Sequence, residues 1–337
     1  MPTAGSQIVL CDLPIRFDTY KGCTHQCKYC FVQRKINISQ VDKGETVKAL
    51  QNFINGERTK ETNWCDWNIP LHWGGMSDPF QPCEKKYKIS YECLKLLAKT
   101  QYPFVVSTKG KLIIEKEYLD LLKKCNCVVQ ISMVCSQYDK LELGTPTYEE
   151  RLEMCRILSK NVKRVIVRIQ PYMTQVFQDV KDNMKRLAEA GVYGIVLEGM
   201  KFVKKRGKLE KLAGDYVYSI DVLKRDFIQL KEEAHKYGLK FYSGENRLRT
   251  LGDNMCCCGI DGLEGFKGNS YNLCHLINNK EYEKTDKMQE KGTGYVFCRL
   301  YQTTLGGSQF KTQSFEEAML NEYKVKADLY KKIFGKE

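Results

Sequence analysis

No stretch of this 337-residue chain approaches the roughly 18 or more apolar residues that a membrane-spanning helix needs. A mean hydropathy of −0.46 points the same way, so no membrane partner is expected. The first ten residues lack a basic stretch leading into an apolar one. No secretory signal is read there, and a cytoplasmic protein with reduced thiols is expected. Internal repeats and low-complexity linkers are missing too. Wholesale disorder is excluded by 20 Tyr, 14 Phe and recurring apolar blocks. Acidic residues are in deficit, with 41 Asp plus Glu against 54 Lys plus Arg, a net charge of +13. That excess reads either as an anionic partner such as a nucleic acid or as a lysine-rich solvated surface. The spread of Lys over most amphipathic segments favours the surface. The densest basic stretch is 201–211, and a Lys-rich tail follows Tyr323.

The length suits about two domains, or one large α/β domain with an appendage. A core of that size needs no disulfide staples. The 16 Cys are therefore the anomaly, and in a reducing compartment they read as core fillers, metal ligands or redox groups.

β-branched and aromatic runs alternate with segments of helical period. Strands are expected over 15–20, 69–73, 104–107, 128–132, 165–170, 193–198 and 239–243. Helices are expected over 45–54, 84–99, 115–124, 148–159, 180–190 and 222–237. Gly56, Gly191 and Gly238 stand where left-handed C-caps belong, and Asp221 is read as an N-cap. Strand–helix–strand spacing of this kind implies right-handed βαβ units, a parallel sheet and a closed or nearly closed barrel. In such a barrel chemistry sits at the C-terminal ends of the strands. The alternation stops near Ser243, so a barrel over 1–243 and a Cys-rich region over 244–337 are expected.

After the first strand, Cys23, Cys27 and Cys30 fall on one loop in C-x3-C-x2-C order, with Tyr29 before the last. Thiolates so spaced can grip one soft metal centre. Zinc would want a fourth ligand, for which His25 is the candidate. An iron–sulfur cluster held by three Cys would keep one iron open. Further along come Gly74-Gly75-Met76-Ser77-Asp78-Pro79, then Ser107-Thr108-Lys109, Ile131-Ser132, Glu142-Leu143-Gly144-Thr145-Pro146 and Glu149-Glu150-Arg151.

The Cys loop resembles that of the radical S-adenosylmethionine (SAM) superfamily, and the later series resembles its spore photoproduct lyase-like branch. The resemblance implies a partial (βα)6-type radical SAM barrel, an α/β fold, with a Cys-rich C-terminal extension. It implies an oxygen-sensitive 4Fe–4S cluster on Cys23, Cys27 and Cys30 whose open iron binds SAM. Reductive cleavage would then yield a 5′-deoxyadenosyl radical that takes hydrogen from a substrate. A one-electron donor such as flavodoxin or ferredoxin is an expected partner. Tyr29 would lie near the adenine, and Gly74, Gly75 and Asp78 at the methionine amino end. Lys109 and Arg151 are the carboxylate candidates, with Ser132 at ribose or carboxylate. Arg168 and Gln170 face either SAM or the barrel filling. Spore photoproduct lyases carry a hydrogen-donating Cys where this chain has Gly75. Cys65, Cys83 and Cys135 are the substitute donors considered, with Cys83 and Cys135 carried forward, against a reading as small buried residues.

A second group, Cys256-Cys257-Cys258 with Cys274, lies in a Gly-rich region without clear period. It reads as an auxiliary iron–sulfur cluster, a zinc site or redox thiols. One of the three adjacent Cys is expected not to be a ligand, because neighbouring side chains diverge in extended backbone. Arg247 and Arg249 are expected to face solvent, or else an anion. Trp64, Trp67 and Trp73 read as core before stacking platforms, and Cys298 as core before a further ligand. The favoured substrate is a nucleic acid or nucleotide. A peptide or protein substrate, with the auxiliary cluster, is the alternative.

Overall fold

Seven of the expected runs become parallel strands: β1 (Ile15–Phe17), β2 (Leu71–Trp73), β3 (Phe104–Thr108), β4 (Cys127–Ser132), β5 (Arg164–Tyr172), β6 (Gly194–Gly199) and β7 (Lys240–Ser243). They neighbour one another in sequence order, and Thr3–Ala4 adds antiparallel to β1 to complete eight strands. This computed structural model describes residues 1–4, 8–34, 41–44, 46–212, 214–298, 303–305 and 308–333. Among them, no helix is long and apolar enough to cross a membrane.

Helices α1 (Val47–Ile54), α2 (Ile89–Thr100), α3 (Lys116–Leu122), α4 (Tyr148–Ser159), α5 (Phe177–Asp182), α6 (Met184–Glu189) and α7 (Ile220–Lys236) fill the crossovers. Thr147 and Glu150 form a reciprocal capping box at the start of α4. Gly56, Gly191 and Gly238 have φ of +96°, +76° and +74°, as left-handed caps require.

Three local expectations are corrected. The helix over 84–99 breaks at Lys88, which is left-handed at φ +54°. There the buried Glu84 carboxylate accepts hydrogen bonds from Ser90 N (3.0 Å) and Tyr91 N (2.8 Å) and caps the first turn of α2 from outside. The helix over 180–190 is two short helices meeting at Asn183. Ser219, not Asp221, is the N-cap of α7.

The sheet buries its two faces differently. Val106, Val129, Val167, Ile195 and Leu197 point outward into the main core under the helices. Each such side chain, fully buried, contributes about 1.5–3 kcal/mol. Val105, Val128, Ile166, Val196 and Tyr242 point inward and pack with Cys11, Cys256, Cys258 and Ile260. The segment after β7 therefore returns into the barrel at the N-terminal ends of the strands and forms its floor. Gly259, at φ +73°, crosses this floor so closely that an added Cβ would lie 2.5 Å from Ile166 Cδ1. Trp64 stacks on Phe315 at 4.7 Å, and Trp73 is wedged among Phe17, Phe80 and Phe104, so both are core. The Cys298 side chain lies outside the described residues.

Candidate functional site

The Cys23–Cys30 loop follows β1 at the C-terminal mouth of the barrel and is clamped from two sides. On one side Gln81 Oε1 accepts from Thr24 N (3.0 Å), and Gln81 Nε2 donates to Gly22 O (3.1 Å). On the other, Lys28 N donates to Leu141 O (2.8 Å) and Gly144 N to His25 O (3.1 Å). A Cβ at Gly144 would sit 2.7 Å from Thr24 O, so only glycine allows that approach. His25 does not complete a ligand set here. Its Nδ1 lies 2.8 Å from Gly144 O and its Nε2 3.1 Å from Asp78 Oδ2, so both ring nitrogens brace the loop.

The turn after β2 is fixed by Asp18, whose Oδ1 accepts from Met76 N (3.0 Å) and Ser77 N (3.1 Å). Burial pushes the Asp18 carboxyl up to about 6 against those hydrogen bonds. Gly74, at φ +88°, would drive a Cβ to 2.4 Å from Ser107 O; Gly75 has no such conflict and meets only Arg16, at 3.6 Å. Asp78 accepts from Phe80 N (2.8 Å), Thr108 Oγ1 (2.6 Å) and Lys109 N (2.7 Å) besides His25. Its burial would raise the carboxyl, but His25 and these donors outweigh it and hold it down at about 2. Both Asp78 oxygens are thus engaged within the protein, tying the Cys loop to the end of β3.

Glu142 is the hub of the opposite wall. It is buried, pairs with Arg151 Nη1 (2.5 Å), accepts from Tyr29 Oη and lies 3.9 Å from Lys109 Nζ. Arg151 is fully buried and also donates to Ser132 O (2.8 Å). The expected SAM contacts Tyr29, Lys109, Ser132 and Arg151 are brought together at this wall, with Arg151 held behind Glu142. The sequence motifs assigned Glu142 no role of its own. The signal that could have found it was a carboxylate set among Tyr29, Lys109 and Arg151 at strand ends.

Of the proposed hydrogen donors, Cys83 precedes the short helix Glu84–Tyr87 and is half-buried, near Glu84 and Asp78. Cys135 is buried after β4, near Asp179 and Tyr138 on the helical side. Cys135 packs in the main core and not among the inward-facing residues.

The sequence model described as the radical SAM superfamily matches residues 18–185, the span that carries the loop, the turn and the Glu142 hub. The chain belongs to the radical SAM superfamily. An uncharacterised protein of Mycobacterium tuberculosis is 24% identical over 206 residues, 56% of this chain and 59% of its own length. One of Methanocaldococcus jannaschii is 23% identical over 148 residues, 42% of this chain and 54% of its own. The chain thus spans less than two thirds of the length of the curated relatives it matches. Among solved structures, spore photoproduct lyase complexed with dinucleoside spore photoproduct superposes with a TM-score of 0.56 at 16% identity, covering 68% of this chain and 77% of that one. Streptococcus suis SuiB bound to precursor peptide SuiA gives 0.51 at 13% identity, covering 69% and 49%. Likenesses at such identity concern the fold.

The radical SAM family implies a 4Fe–4S cluster and SAM, and the residues present fit them. Burial raises the thiols of Cys23 to about 12 and Cys27 to about 11; Asp78 adds to the first shift, and Lys109 opposes the second. Thiolates are costly there until a metal binds them. Below the mouth, the radical SAM barrel carries an inward polar row. Arg168 Nη1 lies 3.0 Å from Ser107 Oγ, 3.1 Å from Gln130 Oε1 and 3.3 Å from His72 Nε2. Burial, then Arg168 and Arg16, hold His72 well below its usual value, so it is neutral. Gln170 bridges Arg168 to Glu198, which pairs with Lys201 (2.7 Å). Arg247 and Arg249, expected at the surface, are buried. Arg247 pairs with Glu245 at 2.9 Å, and Arg249 lies among cysteines.

Proposed function

We propose that this protein is a radical SAM enzyme whose cluster is held by Cys23, Cys27 and Cys30 and whose substrate is a nucleic acid or nucleotide. The observation that carries the reading is the double clamp on the Cys loop, by the Gly74–Asp78 turn and by the Glu142 hub. The cluster and SAM, when bound, supply a one-electron bond cleavage that ends in hydrogen abstraction. The chain's own residues bind and orient. The Gly74–Gly75 backbone receives the methionine end, Tyr29 lies toward the adenine, and Lys109 with Ser132 meets the carboxylate or ribose. Arg151 acts behind Glu142, fixing Tyr29 and Lys109. A flavodoxin or ferredoxin is the electron donor in this reading.

The anionic substrate is supported by two lumenal arginines. Among the described residues Arg16 forms no ion pair; its guanidinium donates to Met76 Sδ at 4.0 Å, and the Asp18 and Glu198 carboxylates act on it only at longer range. Among the described residues Arg168, close enough to Arg16 to lower its pKa, hydrogen-bonds only to neutral partners. A phosphate or carboxylate would relieve both. The Cys-rich region after Ser243 belongs to the same working unit in this reading, since it floors the barrel. The second reading, a peptide or protein substrate, is favoured by the buried cysteine group on that floor.

The test is 5′-deoxyadenosine release by anaerobically reconstituted, dithionite-reduced protein with SAM, alone and with single-stranded DNA, duplex DNA or bulk tRNA. Stimulation by one nucleic acid supports the first reading. Its binding should weaken with salt, with a log–log slope of about −0.9 per phosphate contact on duplex DNA. SAM cleavage that no nucleic acid changes transfers the proposal to peptides. Absence of cleavage in protein that holds iron and SAM overturns it.

A further inference from the structure

We propose that the connection between β6 and α7, residues 200–218, is an arm that holds the phosphate backbone of a single-stranded nucleic acid at the barrel mouth. This rests on the nucleic-acid reading above and adds the surface that such a substrate needs outside the lumen. The connection leaves the C-terminal end of β6, so it stands on the same rim as the Cys23–Cys30 loop and the Gly74–Asp78 turn. It carries the densest basic stretch of the sequence. Lys204, Lys205, Arg206, Lys208 and Lys211 are exposed there, and among the described residues none of them pairs with a carboxylate. Glu210 is the only acidic residue between Met200 and Leu212. Charges of one sign so crowded repel one another, and a line of phosphates offsets that repulsion.

The independent observation is that the arm stands on a fixed base. Phe202 N donates to Tyr216 O (2.7 Å) and Tyr216 N to Phe202 O (2.9 Å), which adds a third segment to the hairpin of Glu210–Leu212 and Asp215–Val217. The Phe202 ring meets that of Tyr218 edge-on, at 5.5 Å and 86°. Tyr218 Oη donates to Gln175 Oε1 (3.1 Å), and Tyr218 O accepts from Arg247 Nη1 (3.0 Å). The foot of the arm is thereby tied to the segment after β5 and to the buried Arg247 after β7. A two-stranded hairpin alone is marginal in water, so these ties hold the basic residues in place. Phe202, Tyr216 and Tyr218 are only half-buried. Aromatic faces beside exposed cations suit a single strand, whose bases stack while the cations follow its backbone.

The arm also leads inward. At its foot Lys201 pairs with Glu198 (2.7 Å), and Gln170 joins Glu198 to Arg168. The exposed positive surface is thus continuous with the lumenal row that ends in Arg168. A base inside a duplex cannot reach a barrel mouth without leaving its stack, so a single strand is the form the arm holds. An acidic electron donor is the other anionic macromolecule that a basic patch could meet. The aromatic base of the arm and its continuity with the lumen favour the nucleic acid.

The test is fluorescence anisotropy of a short labelled single-stranded DNA, and of RNA of the same sequence, on anaerobically reconstituted protein with SAM over a range of salt. The variant Lys204→Ala/Lys205→Ala/Arg206→Ala/Lys208→Ala should bind the tighter probe about 100-fold more weakly at about 0.1 M salt, and its log–log salt slope should be shallower by about 3, as four lost phosphate contacts require. Lys99, Lys124, Lys160 and Lys240 are exposed at the floor end, next to the N-terminal ends of strands. Changing those four to Ala removes the same charge and should leave affinity and slope nearly unaltered. Dithionite-driven 5′-deoxyadenosine release without nucleic acid should be equal in all three proteins, which shows that the arm variant is folded. Equal weakening by both variants would make the effect one of diffuse charge and overturn the proposal. Unchanged binding by the arm variant would overturn it while the proposed function stands, and loss of flavodoxin-driven release in that variant would then assign the arm to the electron donor. Failure of the unaltered protein to bind either probe would overturn both.

Discussion

The two cysteine groups sit at opposite ends of one barrel and are built by opposite means. At the mouth, three thiols come from one loop, two of them half-exposed, and their order along the chain is their geometry. On the floor, Cys11, Cys256 and Cys258 come from two distant segments and pack against the inward face of the sheet, where Gly259 allows the close crossing. The mouth is braced by carboxylates, Asp78 and Glu142, whereas the floor faces a guanidinium, Arg249. A local motif therefore advertises itself by spacing. A convergent packing cluster depends on topology.

The contrast can be broken or sharpened by substitution. The largest effect is expected at the mouth: Cys27→Ala should cut 5′-deoxyadenosine release to that of a protein-free control. Next is Glu142→Ala, which leaves the fully buried Arg151 without its closest carboxylate. It should cost about 3–5 kcal/mol in urea unfolding of metal-free protein, with Glu142→Gln costing less. A cost below 1 kcal/mol would mean that the hub is not the brace described.

Acid should act on the same wall. Asp78 is held at about 2 against a usual 3.8, so its contribution is present above pH 4 and is lost as pH falls toward 2. The loss is about 2 kcal/mol, and Asp78→Asn should flatten that part of the stability profile. The smallest effect belongs to the floor. Gly259→Ala forces a positive φ and a Cβ against Ile166, at about 1–2 kcal/mol by chemical denaturation. An unchanged midpoint would show the floor to be looser than its packing indicates.

Much of the barrel was legible because its signals are periodic. All seven strands and the glycine caps follow from alternation and from where left-handed residues are needed. The break at Lys88 was not legible, since Glu84 caps α2 only through a tertiary fold that also buries Tyr20 and Tyr118 around it. The three-Cys loop and the Gly74–Asp78 turn were legible as contiguous motifs. Asp18, Glu142 and Cys11 were not, because their roles come from partners some 60, 110 and 250 positions away. Arg249 was misread as exposed for the same reason. A charged residue in an aperiodic segment carries no sign that the chain will turn inward.

The most direct test of the account compares reduced, reconstituted protein with Cys23→Ala, Cys27→Ala and Cys30→Ala variants, assaying 5′-deoxyadenosine formed from SAM. The account predicts release from the unaltered protein and none from any of the three. Release from a loop variant at the unaltered rate would place the reactive centre elsewhere and contradict it.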